Sequence, residues 1–294
     1  MLAVPGLVVA VLACGTTDRA YRGHTAREWA ALLAAPTSRE RVAAAEALYH
    51  IAPTSDDVVN ALLTAMRDTS GEVQSAVAVA LGTVGARAVP GLAEAVGDDH
   101  TSVRMIALSL LGERGADAAP AAPSIARALA DSNPDVRIAA AQTLARIGPA
   151  AREAEPALLE AARRGSTSVR AAALQALVAN DADPATLLPV FAAALRDSAW
   201  MLRVAAVPIL PASRIGRPEV IAMIVPLTRD PDPRVRQAAY GSICGLLGAP
   251  AIDSQARALL AAGAADADTN VRRMAQRTLA PPLIADSLGE PRRR

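Results

Sequence analysis

An arginine returns at Arg41, Arg104, Arg137, Arg170, Arg203, Arg236 and Arg272, and Gln74 occupies the one remaining slot. Successive steps are 33, 30, 33, 33, 33, 33 and 36 residues. A period of this length is the signature of stacked supersecondary units, each too small to bury its own apolar face. It predicts one elongated domain of about eight units and excludes a single closed core.

Other markers keep register with the arginine. Six residues before it stands an aspartate at Asp68, Asp98, Asp131, Asp197, Asp230 and Asp266. The preceding residue is Val73, Val103, Val136, Val169, Val235 or Val271, with Leu202 in the sixth copy. Seven residues after it comes Leu48, Leu81, Leu111, Leu144, Leu177, Leu210 or Leu279. Four copies add a proline eight residues before the aspartate slot, at Pro90, Pro123, Pro156 and Pro189.

Each unit reads as two helices, most clearly in the fourth copy. Residues 123–131 form a short helix, with Pro123 near its start, where the backbone N–H has no intrahelical partner. Residues 132–135 are polar turn chemistry. Residues 136–147 form the second helix, whose Val136, Ala140, Leu144 and Ile147 share one face, and Gly148 stops it. Alanine runs such as Ala139-Ala140-Ala141 let backbones approach closely, and with two Trp and one Phe in the chain the core is predicted to be aliphatic.

The aspartate can accept backbone N–H bonds at the start of the second helix. The planar arginine fork can reach that carboxylate or the one in the next unit. Asp68, Asp98, Arg104, Asp131, Arg137, Arg170, Asp197, Arg203, Asp230, Arg236, Asp266 and Arg272 are therefore expected to form a structural ladder. A basic groove for phosphate would need arginines without acids, and nearly every arginine here arrives with one. Two departures stand out: Arg164 occupies the aspartate slot of copy five, and Pro208 and Pro211 fall inside the second helix of copy six, where they are expected to break or kink it.

The pattern D-x-x-x-x-V-R-x-A-A-x-x-L-x-x-[IL]-G, matched by Asp131, Val136, Arg137, Ala139, Ala140, Leu144, Ile147 and Gly148, resembles the HEAT repeat, specifically the short alanine-rich type of phycobilin-lyase-like proteins. The resemblance spans about residues 24 to 280 and implies an all-α, right-handed α-solenoid of about eight two-helix repeats over 23–283. It also implies that the second helices line the concave side. Their outward positions follow the arginine by one, five and nine residues. Met105, Ser109, Ile138, Gln142, Arg146, Gln175, Val204 and Gln237 are the candidate concave binding surface for a protein or peptide. The competing reading is that these side chains pack between repeats.

Residues 2–13 are an uncharged, mostly apolar run, shorter than the ~20 residues that span a bilayer. They suit the apolar region of a signal peptide over 1–13. Val11-Leu12-Ala13-Cys14-Gly15 resembles a bacterial lipobox, which implies cleavage before Cys14 and lipid attachment to it, with a tether over 14–22. No Lys or Arg precedes the run, and a cytoplasmic chain with a mis-assigned start is the other reading. At the far end, residues 284–294 form a polar tail closing on Arg292, Arg293 and Arg294.

With 30 basic residues, all arginine, against 29 acidic ones, the net charge of +1 gives no field to steer nucleic acid. Cys14 and Cys244 are the only cysteines, and Cys244 reads as a small core residue. His24, His50 and His100 share no metal-ligand spacing, and no His-Glu dipeptide, CxxC, G-x-S-x-G or phosphate loop occurs. No catalytic residue, metal site or cofactor is expected. The expected function is a non-catalytic protein-binding or scaffold module, monomeric and held at the cell envelope by its lipid anchor alone. An enzyme or enzyme subunit of the phycobilin-lyase-like group is the alternative.

Overall fold

The computed structural model describes residues 20–247 and 254–279. The signal-peptide segment, Cys14 and the arginine tail fall outside the described residues. The chain divides between Ala95 and Val96 into two compact units.

The first unit opens with two-residue strands, β1 (Ala20–Tyr21) and β2 (His24–Thr25), paired antiparallel across a turn in which Gly23 has φ 85°. Then come α1 (Ala26–Leu32) with α2 (Ser38–Ile51), α3 (Asp56–Ala65) with α4 (Gly71–Val84), and α5 (Val89–Ala95). Thr25 and Glu28 form a capping box at α1, as their spacing predicts, and Thr37 with Glu40 forms a second at α2. Aromatic residues close this end: Tyr21 stacks on His50 with centroids 4.9 Å apart, and the Trp29 indole N–H donates to the Tyr21 carbonyl at 2.9 Å.

The second unit contains α6 (Thr101–Glu113), α7 (Ala122–Ala128) with α8 (Pro134–Ile147), α9 (Glu155–Arg164) with α10 (Thr167–Ala179), α11 (Pro184–Leu195) with α12 (Trp200–Ile209), α13 (Arg217–Ile224) with α14 (Pro233–Leu247), and α15 (Ser254–Ala264) with α16 (Thr269–Leu279). Second helices stack on one another in chain order, α6 on α8, α10, α12, α14 and α16, as α2 does on α4 in the first unit. This is the arrangement of an all-α solenoid.

The periodic apolar slots account for the packing. The valine before each arginine and the leucine seven after it are buried throughout copies two to five, and Val136, Ala140, Leu144 and Ile147 of α8 form one buried face. Burying a leucine stabilises by roughly 2 kcal/mol, so the repeated slot gives each interface the same core contribution. Alanines between them, such as Ala140 and Ala141, are fully buried where helices meet closely. At Gly148 φ is 71°, a conformation open to glycine at little cost, and its N–H returns to the Leu144 carbonyl.

The prolines of copy six act as their chemistry requires. Pro208 lies within α12, which gives way to a 3-10 turn over Leu210–Ala212, so this second helix has 10 residues where α8 has 14. Cys244 is half-buried against the cluster of Tyr240, Leu260, Val271 and Ala275.

Candidate functional site

Two faces of the repeats carry distinct chemistry. The first lies at the turn joining each helix pair. The arginine sits in the first turn of the second helix and folds back over the chain that precedes it. Its Nη1 donates to the carbonyls six and five residues earlier: Asp131 and Ser132 for Arg137 (2.6 and 3.0 Å), Asp197 and Ser198 for Arg203 (2.7 and 3.1 Å), Asp230 and Pro231 for Arg236 (2.9 and 3.2 Å). Arg41, Arg104 and Arg272 do the same. These carbonyls follow the end of the first helix and have no helical partner of their own.

The other edge of the fork reaches the next copy. Arg203 donates through Nε and Nη2 to the two oxygens of Asp230, both at 2.8 Å, and Arg236 does likewise to Asp266. Arg41 meets Asp68 in the same two-point manner, and Arg104 reaches Asp131 through Nη2 at 3.1 Å. Arg170 uses Nη1 for Asp197, at 2.7 Å, and gives Nε to the Ala162 carbonyl. Of the two carboxylates within reach by sequence, the arginine thus takes that of the following copy, 27 residues on in four cases and 30 in the last. Gln74, in its shortened form of the slot, keeps the carbonyl contact, Nε2 to Asp68 at 2.9 Å.

Each aspartate does further work. One oxygen accepts the backbone N–H two residues on, at Ser70, His100, Asn133, Ala199, Asp232 and Asp268. Arginine hydrogen bonds, then this backbone bond, hold the Asp68 and Asp266 carboxyls below the usual range; at Asp197 the Ala199 N–H comes first and Arg170 follows. Arg203 and Arg236 are held correspondingly above the ordinary guanidinium value, chiefly by hydrogen bonds to Asp230 and Asp266.

The arginine of copy four, Arg137, departs from this scheme. Its counterpart 27 residues on is Arg164, whose Nε pairs instead with Glu160 Oε1 at 3.1 Å, one turn back on α9. Among the described residues no carboxylate meets Arg137.

The second face is the outward row of the second helices. Ser109, Gln142, Arg146 and Gln175 are exposed, whereas Met105, Ile138, Val204 and Gln237 are half-buried. The neighbouring helices α6, α8, α10, α12 and α14 bring these eight into adjacent rows. The row deepens at one place. Along α12, α14 and α16, a groove of about 850 Å³ is lined by Trp200, Val204, Pro208, Gln237, Gly241 and Met274, among others.

The groove has a simple origin. The positions five after the arginine are Gln142 and Gln175 in copies four and five, then Pro208 and Gly241. Removing two long amides leaves a trough, and at Gly241 the nearest side-chain atom to an added Cβ would be Met274 Cε, 3.7 Å away. At its rim Arg234 lies over the Trp200 ring, Cζ 3.2 Å from the centroid, and is anchored by Asp232 at 2.7 Å. The Asp232 carboxyl is pulled down to about 2 by its hydrogen bonds from Arg234.

Of the eight residues the sequence assigns to this surface, Val204 and Gln237 line the groove and the other six lie elsewhere along the row. Trp200, Arg234 and Met274 escaped the one-five-nine rule because they sit beside those positions. Trp200 carried the available signal, as the second of only two tryptophans. Among the described residues no three His, Cys, Asp or Glu gather as metal ligands.

A family model described as HEAT repeats matches residues 26–112, 89–178 and 187–280. Among solved structures, the chain is similar to Kap95p bound to RanGDP (16% identity, TM-score 0.62, 86% of this chain and 39% of that one). It is also similar to importin beta crystallised in ammonium sulfate (17% identity, TM-score 0.59, 86% and 40%). A crystal structure of an engineered protein aligns at 20% identity with TM-score 0.47, over 86% and 77%. The chain spans about two fifths of the length of Kap95p and importin beta, and at these identities the likeness is one of fold. No curated protein matches the sequence.

Proposed function

Because the chain belongs to the HEAT-repeat family, we propose that it is a non-catalytic module that binds a protein segment along the outward row of its second helices. The observation that carries this reading is the groove over α12, α14 and α16. It offers an apolar floor from Val204, Pro208 and Met274, a hydrogen-bonding amide at Gln237, and an aromatic-cation rim. That combination fits an extended or helical peptide with one apolar anchor and a few polar contacts. The likeness to Kap95p, a solenoid whose structure was determined with RanGDP, supports a binding role for the fold.

The reading is tested by placing a photo-crosslinking residue at Gln237 or Met274 in the full chain and identifying crosslinked peptides by mass spectrometry. A peptide from another protein, lost on Val204→Glu, is the expected result. Equal crosslinking yield in Val204→Glu overturns the groove as the binding site.

The finer placement is a proposal of the same kind. The apolar run ending at Ala13-Cys14 supports a cleaved, lipid-anchored envelope protein. The repeat type is assigned to the short alanine-rich class on the Asp131–Gly148 pattern. Mass spectrometry of the mature N-terminus tests the anchor: an unlipidated chain beginning at Met1 eliminates it.

A further inference from the structure

We infer that the broken rung between copies four and five is a carboxylate-binding site, in which Arg137 takes from a ligand the acid that every intact rung takes from the next copy. Arg137 Nη1 is clamped by the Asp131 and Ser132 carbonyls at 2.6 and 3.0 Å, the same pair of contacts that orients Arg203 and Arg236. In those two arginines this clamp presents the Nε–Nη2 edge to a carboxylate at 2.8 Å on both nitrogens. Arg137 therefore holds the same two-donor edge ready, and no described acid occupies it.

Arg137 lines a cavity of about 350 Å³ together with Arg164, Glu160, Gly165, Ser166 and Val169 among others. Its form follows from the sequence of copy five. Where other copies end the first helix with an aspartate and a turn, α9 runs on to Arg164 and reverses tightly at Gly165. A Cβ at Gly165 would come within 2.7 Å of both the Ala161 carbonyl and Val169 Cγ1, so the tight course depends on glycine. The reversal leaves the slot of the missing carboxylate open. Arg164 on the far side adds a second cation, held by Glu160 at 3.1 Å, so the lining carries one more positive than negative group.

The geometry selects the ligand chemistry. An arginine edge with two parallel N–H donors matches a planar carboxylate, and in the intact rungs it binds one. The source is either a free small carboxylate or an acidic side chain on a protein segment. The site lies on α8 and α9, apart from the α12–α14–α16 groove, and each proposal can fail without the other.

The test is an NMR titration of the arginine Nε–Hε signals of the full chain, with sodium acetate against sodium chloride at matched ionic strength. The expected result is a saturating shift of the Arg137 signal at roughly millimolar acetate, of the order expected for one charge-assisted bidentate contact. Arg137→Lys loses that signal and the binding. Arg164→Asp, which restores the acid in cis, starts with the Arg137 signal already shifted and at least tenfold less responsive. Arg164→Ala, with the cation gone and no acid supplied, keeps the response.

No acetate-specific shift at Arg137 in the unmodified chain overturns the proposal, and covers the case in which Glu160 has swung across to fill the slot. An undiminished response in Arg164→Asp also overturns it. An end-blocked tripeptide with a central aspartate then distinguishes the sources. Binding at least tenfold tighter than acetate identifies a protein segment, and equal binding identifies a free small carboxylate.

Discussion

The rung from Arg203 to Asp230 and the gap beside Arg137 are alike up to a single residue. In both, the arginine follows an aliphatic residue in the first turn of a second helix and grips two carbonyls of its own copy. At Asp230 the following copy answers with a carboxylate; at Arg164 it answers with a second cation. The difference separates two roles that the regular copies merge. Orientation of the fork comes from its own turn and survives the loss of the acid. Connection between copies comes from the carboxylate, and that part alone is missing at copy five.

The comparison can be broken most directly at the intact rung. Asp230→Ala strands the Arg203 fork and removes the acceptor for the Asp232 N–H. A cost of about 2 kcal/mol is expected, because a charged hydrogen-bond partner is lost at a mostly buried site. Urea unfolding measures it, and a cost under ~0.5 kcal/mol would mean the rung contributes little. Next in size is the contrast between Arg203→Ala and Arg137→Ala. The first removes carbonyl clamp and ion pair, the second the clamp alone, so Arg137→Ala should cost about 1 kcal/mol less. Equal costs would show that the carboxylate adds nothing to the clamp.

Arg164→Asp sharpens the comparison from the other side. Supplying the missing acid should raise the thermal midpoint by about 3 °C, the shift that ~1 kcal/mol produces in a chain of this size. A lowered midpoint would show that the turn at Gly165 cannot present a carboxylate to Arg137. The smallest effect per residue is that of pH. The Asp68, Asp197 and Asp266 carboxyls are depressed in the folded chain. Their contribution is therefore complete above the unfolded carboxylate value near ~3.9 and is lost as pH falls through the lower folded values. The midpoint should hold from pH 7 to about 5 and decline below about 4, and Asp266→Asn should flatten part of that decline. A decline of the same depth in Asp266→Asn would remove this aspartate from the account.

Much of this is legible in the sequence. Val136, Ala140, Leu144 and Ile147 could be assigned to one buried face because a repeated unit must bury the same slots each time. Gly148 as a helix stop and the shortened second helix around Pro208 and Pro211 followed from backbone chemistry. The choice of carboxylate did not follow, because a fixed period makes six residues back and 27 residues on equally regular. Nor did the groove. It arises from side chains that are short or missing at Pro208 and Gly241, and from Trp200 and Arg234 meeting across two copies, a pairing no single unit contains. The assignment at Cys14 lies outside the described residues.

Every fork that meets an acid points forward along the chain, so a second molecule stacked end to end could extend the ladder only by offering an acid to Arg272 or a fork to the first acid slot. The first acid slot is Ala35, which gives Arg41 a carbonyl and no carboxylate. At the other end Arg272 spends Nη1 on Asp266 and Ala267 and Nη2 on the Thr269 hydroxyl. A head-to-tail contact between identical solenoids closes into a ring or, where its rotation does not close, propagates into fibres. For such growth Ala35 offers no acid, while the Arg272 fork, bonded to the Thr269 hydroxyl as Arg104 is to that of Thr101, is still able to take one.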